Sequence, residues 1–353
     1  MKEWMNNIRK VVPYVAGEQP DRKKMIKLNT NECPYAPAPA VEDVIKNVDI
    51  EKFRLYPDTE GRPLINKIAQ YYGVDDDMVF AGVGSDDVIA NAFLTFFNSD
   101  KPVFFPDITY SFYPVWADLY GVKYEKKKLD NNFRIVKEDY YGENGGIIFP
   151  NPNAPTSVLE SLDTIRDILI HNNKSVVIVD EAYIDFGGVS ALPLLKEFEN
   201  LLVVQTFSKS RSMAGMRIGY AIGNKELIKA MNDVKYSINS YTLNIQSIIA
   251  GCAAIEDKTY FENTCKKIIE TREKSKVRLK SMGFSFPDSK ANFIFATHKD
   301  IDITDLYMYL RTKDIYVRHW DSPDIKDYVR ITIGTDEQME TLFDVIEEYM
   351  EKQ

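Results

Sequence analysis

The sequence predicts an α/β protein: a large domain with a mainly parallel sheet flanked by helices, joined to a smaller α+β domain. Three observations carry this expectation. Short apolar runs alternate with helical spacings from about 79 to 220, as they do in βαβ units. The polar residues with chemical potential stand directly after those runs, where the carboxyl ends of parallel strands gather. Strand-like runs then return at 293–295, 316–318 and 328–333, closed by a last amphipathic stretch. The expected division is a large domain over 46–250, with 1–45 and 251–353 forming an N-terminal arm and a small domain.

Residues 1–45 read as irregular. Pro13, Pro20, Pro34, Pro37 and Pro39 break any long helix there. Leu64, Ile65, Ile68, Ala69 and Tyr72 recur at helical spacing, and Gly73 is a stop. An apolar run at 79–83 leads into Gly84, Ser85, Asp86 and Asp87, and then Val88, Ile89, Ala92, Phe93 and Phe96 fall on one helical face. Runs at 103–105, 147–149 and 175–179 read as strands. The second enters the turn Asn151-Pro152-Asn153-Ala154-Pro155-Thr156, and the third ends in Asp180-Glu181-Ala182-Tyr183. A fourth, Leu201 to Val204, precedes Thr206, Ser208 and Lys209, with Arg217 eight residues further on. The stretch 225–278 reads as a long connecting helix. Met339, Leu342, Phe343, Ile346 and Met350 share one face of a final helix.

The 353 residues are enough for a large core and two domains. A hydrophobic share of 44% with 27% charged residues is ordinary for a soluble protein. The net charge of −9 argues against nucleic acid as a partner. The first ten residues lack the apolar core of a signal peptide, and no apolar run reaches a membrane span. Cys33, Cys252 and Cys265 are too scattered for a disulfide framework or a zinc site. A cytoplasmic protein with reduced thiols and no metal is expected.

The chemistry is concentrated at the predicted strand ends. A lysine after a buried strand, with hydroxyls and an arginine nearby, suits a phosphate-bearing aldehyde such as pyridoxal phosphate. Read alone, the stretch fits a surface loop equally well. Asp180 has the position of a carboxylate that keeps a pyridine nitrogen protonated, or of a turn-capping aspartate. Tyr183 suits a donor to the ring oxygen. Tyr110 suits a ring stacked on the cofactor, or a core aromatic. Gly84, Ser85 and Asp86 read as a phosphate turn at a helix N-terminus, or as a plain cap. The order of these features is more specific than any one of them.

The segments PYVAGEQP (13–20), KLNTNECPY (27–35), RLYPD (54–58), GVGSDDVI (82–89), ITYSFYP (108–114), NPNAPTS (151–157), VIVDEAYIDF (177–186), TFSKSRSMAGMRIGY (206–220), YVRHW (316–320) and YVRITIGT (328–335) resemble the fold-type I pyridoxal phosphate aminotransferases. The likeness is greatest to the histidinol-phosphate group and covers nearly the whole chain. The resemblance implies pyridoxal 5′-phosphate as cofactor. It implies transamination of L-histidinol phosphate with 2-oxoglutarate, giving imidazole acetol phosphate and glutamate, by a ping-pong mechanism in histidine biosynthesis. Lys209 matches the Schiff-base lysine, Asp180 the partner of the pyridine nitrogen and Tyr183 the partner of the ring oxygen. Tyr110 matches the stacking aromatic. Ser85, Asp86, Ser208 and Arg217 match the phosphate site, and Tyr56 the tyrosine that reaches a phosphate in the neighbouring subunit of a homodimer. Arg330 and Arg318 match substrate-anchoring arginines, while Tyr14 and Asn31 belong to an arm that covers the substrate. Three positions depart from the pattern. Ala154 stands where an asparagine contacts the ring oxygen, and Asn153 is expected to replace it. Ser157 stands for a glycine, and Cys33 for an asparagine. An aromatic amino-acid aminotransferase and a phosphothreonine decarboxylase-like lyase share the fold and remain alternatives. A pyridoxal-binding regulatory module fits less well, since no DNA-binding segment or basic face is visible.

Overall fold

The computed structural model describes residues 2–20 and 25–352. The chain enters through a short strand, β1 (Ile26–Lys27), and a helix, α1 (Pro39–Lys46). The helix is a departure from the irregular arm expected over 1–45. Pro39 opens it at the first turn, where a missing N–H costs nothing. Helix α2 (Arg62–Tyr72) stops at Gly73, whose φ of 66° is left-handed.

The large sheet has seven strands: β2 (Val79–Gly82), β3 (Val103–Pro106), β4 (Tyr124–Lys127), β5 (Gly146–Pro150), β6 (Val177–Asp180), β7 (Leu201–Thr206) and β8 (Gly219–Gly223). Their order is β2-β8-β7-β6-β5-β3-β4. Only β8 runs antiparallel to its neighbours, so the other six present their carboxyl ends at one edge. Helices α3 (Ser85–Phe96), α4 (Phe112–Tyr120), α5 (Leu162–His171) and α6 (Lys225–Ile238) belong to the same unit. Adjacent residues on a strand face opposite layers. Ile178, Leu202 and Val204 join one core with Phe93 and Trp116, whereas Val177, Val179, Leu201 and Val203 join another with Ile165 and Leu169. A sheet covered on both faces needs unbroken apolar strands. That is why 201–204 reads as a continuous run.

The stretch 225–278 is not one long helix. It is α6, α7 (Ile245–Glu256) and most of α8 (Lys258–Ser281). The Asn244 side chain accepts from Ser247 N at 2.8 Å, and that of Asp257 from Tyr260 N at 3.1 Å. Each side chain caps a new helix start, and amphipathic spacing alone does not reveal such breaks.

The second unit holds β9 (Phe284–Ser285), β10 (Phe293–His298), α9 (Ile303–Thr312), β11 (Ile315–Tyr316), β12 (Arg318–His319), β13 (Val329–Thr332) and α10 (Asp336–Met350). Its antiparallel sheet has the order β12-β13-β10-β9. The expected single strand over 316–318 is divided. Ile315 and Tyr316 pair with β1, and Arg318 and His319 pair with β13. Leu28 of the arm, Ile268 of α8 and Leu342 of α10 share this unit's core. Among the described residues no helix is long and apolar enough to cross a membrane.

Candidate active site

A cavity of about 390 Å³ lies between the carboxyl edge of the large sheet and the small sheet. It is large enough for a cofactor-sized molecule. Its wall includes Tyr14, Asn31, Ser85, Asp86, Tyr110, Asp180, Tyr183, Ser208, Lys209, Arg217, Arg318 and Arg330. Thus twelve of the fifteen residues singled out in the sequence meet at one place. Gly84 packs directly behind the wall; Asn153 and Tyr56 are placed otherwise.

Lys209 comes off the end of β7, and its Nζ donates to the carbonyl of Thr30 at 2.9 Å. Burial is the main cause that lowers its pKa to about 8, aided by Arg330 and opposed by Asp86 and Glu32. About a tenth of the amine is then neutral at pH 7, far more than for an ordinary lysine. Asp180 ends β6 and is buried. Burial raises its carboxyl to about 6, against the Tyr113 hydroxyl and the Ala182 N–H, which both favour the charged form. The hydroxyl of Tyr113 donates to Asp180 Oδ2 at 3.0 Å. A cationic ring nitrogen placed beside such a carboxyl would ionise it fully.

The phosphate turn is built by close approach. Gly84 has φ 85°, and a Cβ there would stand 2.4 Å from Arg217 Nη2. A Cβ on Gly219 would stand 2.2 Å from Ser85 N. Only glycine fits at either position. The turn opens helix α3, whose first N–H groups lack helical partners and whose dipole favours an anion. Arg217, itself left-handed at φ 52°, pairs with Asp86 Oδ2 at 3.3 Å. Ser208 Oγ lies 3.0 Å from Thr206 Oγ1, a hydroxyl that also meets the Ile218 carbonyl at 3.1 Å. Tyr110 donates to Asp86 Oδ1 at 2.9 Å. Its ring meets that of Tyr113 edge-on, with 5.7 Å between centroids, and it forms one wall of the cavity.

Asn153 is placed otherwise than expected. Its amide donates both hydrogens, to Ile108 O and Thr156 Oγ1 at 2.9 Å each, and it accepts from Thr109 Oγ1 at 3.1 Å. It braces the turn, and Ala154 lines the cavity instead. Ser157 sits at φ 66° and is fully buried. That backbone explains why glycine suits the position. Tyr56 lies away from the cavity, 81% exposed and stacked on Tyr241.

On the small sheet Arg318 and Arg330 are direct cross-strand partners. Both guanidinium groups lie over the ring of Trp320, at 5.4 and 5.3 Å. Arg330 Nη2 donates to Asn29 O at 2.8 Å, while its buried Nε has no partner among the described residues. Burial lowers the Arg330 pKa, and Arg318 lowers it further. Tyr113 and Trp320 drew no role from the sequence, although each lies in a stretch that carried the resemblance. Thr30 was also missed, because it acts through its backbone.

The residues present therefore fit pyridoxal 5′-phosphate: an amine of low pKa, a buried carboxyl, and an N–H turn with an arginine. Comparison with known proteins agrees. The model of the aminotransferase class I and II family matches residues 23–346. The histidinol-phosphate aminotransferase of Lactococcus lactis subsp. cremoris (strain SK11) is 49% identical over 347 residues, covering 98% of each chain. The solved histidinol-phosphate aminotransferase of Clostridium acetobutylicum superposes with a TM-score of 0.86 at 24% identity, over 93% of this chain and 100% of that one. That of Sinorhizobium meliloti, solved in complex with pyridoxal-5′-phosphate, gives 0.83 at 20% identity, over 92% of both. With its family matched over residues 23–346 and its relatives nearly half identical, the chain belongs to the class I and II aminotransferases, in the histidinol-phosphate aminotransferase group.

Proposed function

We propose that the protein transfers the amino group of L-histidinol phosphate to 2-oxoglutarate, in histidine biosynthesis, with pyridoxal 5′-phosphate as cofactor. The observation that carries the substrate reading is the opposition of Arg318 and Arg330. Like charges placed directly across two strands repel. A phosphate monoester has up to two charges and three free oxygens, enough to engage both guanidinium groups and the unpartnered Arg330 Nε.

The bound cofactor supplies an electron sink for the bond that breaks at the substrate carbon. Asp180 holds the proton on the ring nitrogen. The Tyr183 hydroxyl, which lines the same cavity, would donate to the ring oxygen. The turn at Gly84 and Ser85, with Ser208 and Arg217, holds the cofactor phosphate. Lys209 would hold the cofactor through its amine and, once that amine is free, would serve as the base and acid that move the proton of the substrate carbon. Arg330 and Arg318 orient the substrate phosphate. Tyr14, stacked on Phe112 at 4.3 Å, keeps water from that end. In the second half-reaction 2-oxoglutarate takes the same site, and Arg330 holds a carboxylate.

This predicts a split between the two arginines. Loss of a charge-assisted hydrogen bond costs about 1.5–3 kcal/mol, or roughly one to two powers of ten. Arg318→Ala lowers kcat/KM for histidinol phosphate by that factor and far less for glutamate, whereas Arg330→Ala damages both. Single half-reactions followed by cofactor absorbance decide it. An equal loss for both substrates in Arg318→Ala favours an aromatic amino-acid substrate instead.

The active unit in this reading is a cytoplasmic homodimer, with Tyr56 reaching the partner's cofactor phosphate. Its support is the exposure of Tyr56, stacked on the exposed Tyr241, with its chain neighbours Phe53 and Leu55 also facing outward. Mixed dimers of Lys209→Ala and Tyr56→Phe chains carry both lesions in one site and none in the other. Activity above the parents' mean is expected. With hybrids formed and Tyr56→Phe impaired, no recovery counts against a shared site.

A further inference from the structure

Ala154 offers the cavity a methyl group, and both amide hydrogens of Asn153 are committed elsewhere. The turn after β5 therefore gives the cofactor's ring oxygen no side-chain donor from 153 or 154. We propose that Asn31 replaces that donor indirectly, as a positioning residue that turns the Tyr183 hydroxyl proton toward the ring oxygen. The inference rests on the cofactor site argued above.

The hydrogen bonds fix the direction. Asn31 is 1% exposed and left-handed at φ 55°, a conformation that asparagine tolerates. Its backbone N–H donates to Thr332 Oγ1 at 3.0 Å, and its carbonyl accepts from Asn292 Nδ2 at 3.0 Å. A hydroxyl has one proton, and Thr332 gives its proton to Asn31 Oδ1 at 3.1 Å. With Oδ1 facing Thr332, Nδ2 is left to donate to Tyr183, at 3.0 Å. The tyrosine oxygen accepts there, so its own proton is directed elsewhere. The tyrosine ring is held edge-on to Phe293 at 5.0 Å, and Lys209 Nζ stands 5.8 Å from its centroid. The proton thus points into the cavity beside the lysine. Strand β13 sets the hydroxyl of a tyrosine on the opposite unit through one amide of the arm.

The test is the pH midpoint of the long-wavelength absorption of the cofactor-loaded protein. A donor withdrawn from the ring oxygen leaves more negative charge there to retain the neighbouring proton, so the midpoint rises. Tyr183→Phe is expected to raise it by roughly one pH unit. Asn31→Gly keeps the left-handed backbone and its N–H, and is expected to raise it by at least half as much. Added to Tyr183→Phe, it should add nothing further, since both act on one bond. Thr332→Val frees the amide to turn, and a smaller rise of the same sign is expected; it also serves if Asn31→Gly does not fold. A purely structural Asn31 would lower the melting temperature and leave the midpoint in place. An unmoved midpoint in a folded Asn31→Gly or Thr332→Val variant, with Tyr183→Phe shifted, overturns the inference and leaves the cofactor reading standing. An unmoved midpoint in Tyr183→Phe overturns it too. A wild-type protein with no pH-dependent cofactor absorption overturns the cofactor reading itself.

Discussion

Lys209→Ala is expected to abolish turnover, with a loss of at least about four powers of ten, and to end covalent fixation of the cofactor by borohydride. The amine has two tasks in the proposed reaction. It binds the cofactor and it moves the proton, and positioned proton transfer alone contributes about 10²–10⁴-fold. The fold should survive, because the amine makes one hydrogen bond, to Thr30 O. Stability gives a second reading. Burial holds the folded-state pKa at about 8, below the ordinary 10.5. The folded protein binds that proton less tightly than the unfolded chain, so the charged lysine destabilises it below pH 8. This cost fades as pH rises from about 8 to 10.5, where both states lose the proton. Cofactor-stripped Lys209→Ala should therefore melt higher than wild type at pH 7, with a difference that shrinks toward pH 10. Borohydride fixation persisting in the variant removes the assignment.

Asp180→Asn is the second large effect. Asparagine keeps the shape and can still receive the Tyr113 hydroxyl, but it carries no charge to hold a proton on the ring. Breaking a buried charge pair from one side costs about 3–5 kcal/mol. That corresponds to roughly two to three and a half powers of ten in rate if the cost falls on the transition state. Cofactor binding should remain, since the phosphate turn, Arg217 and Lys209 are untouched. The measurement is kcat with cofactor in excess. Near-normal turnover sinks the role.

Much of this site was legible because parallel strands mark their own ends. The runs at 147–149, 176–179 and 201–204 are apolar throughout, and the first polar residues beyond them fall at one edge of the sheet. Lys209, Asp180 and the turn at Gly84 follow directly from that rule. What stayed hidden depends on register or on backbone. Nothing local shows that Arg318 stands opposite Arg330, which only the β12–β13 pairing decides. Tyr113 looks like any aromatic on an apolar helix until α4 is laid under Asp180. The strand β8 enters the sheet antiparallel, and no periodicity reports direction. The helix breaks before Ile245 and Lys258 lie in single capping side chains. Asn153 was misplaced because its type suited the contact, whereas its hydrogens were already taken.

The arm has a consequence for how the molecule is made. Asn31 bonds residues 152, 261 and 301 positions further along the chain, and Thr30 meets Lys209 across 179. Closing loops of this length is entropically costly and comes after local structure has formed. Strand β13 supplies one anchor of the arm and lies near the far end of the sequence. A chain emerging from the ribosome can complete its large sheet long before that strand exists. The arm over the lysine thus gains its Thr332 anchor only after that strand has been made.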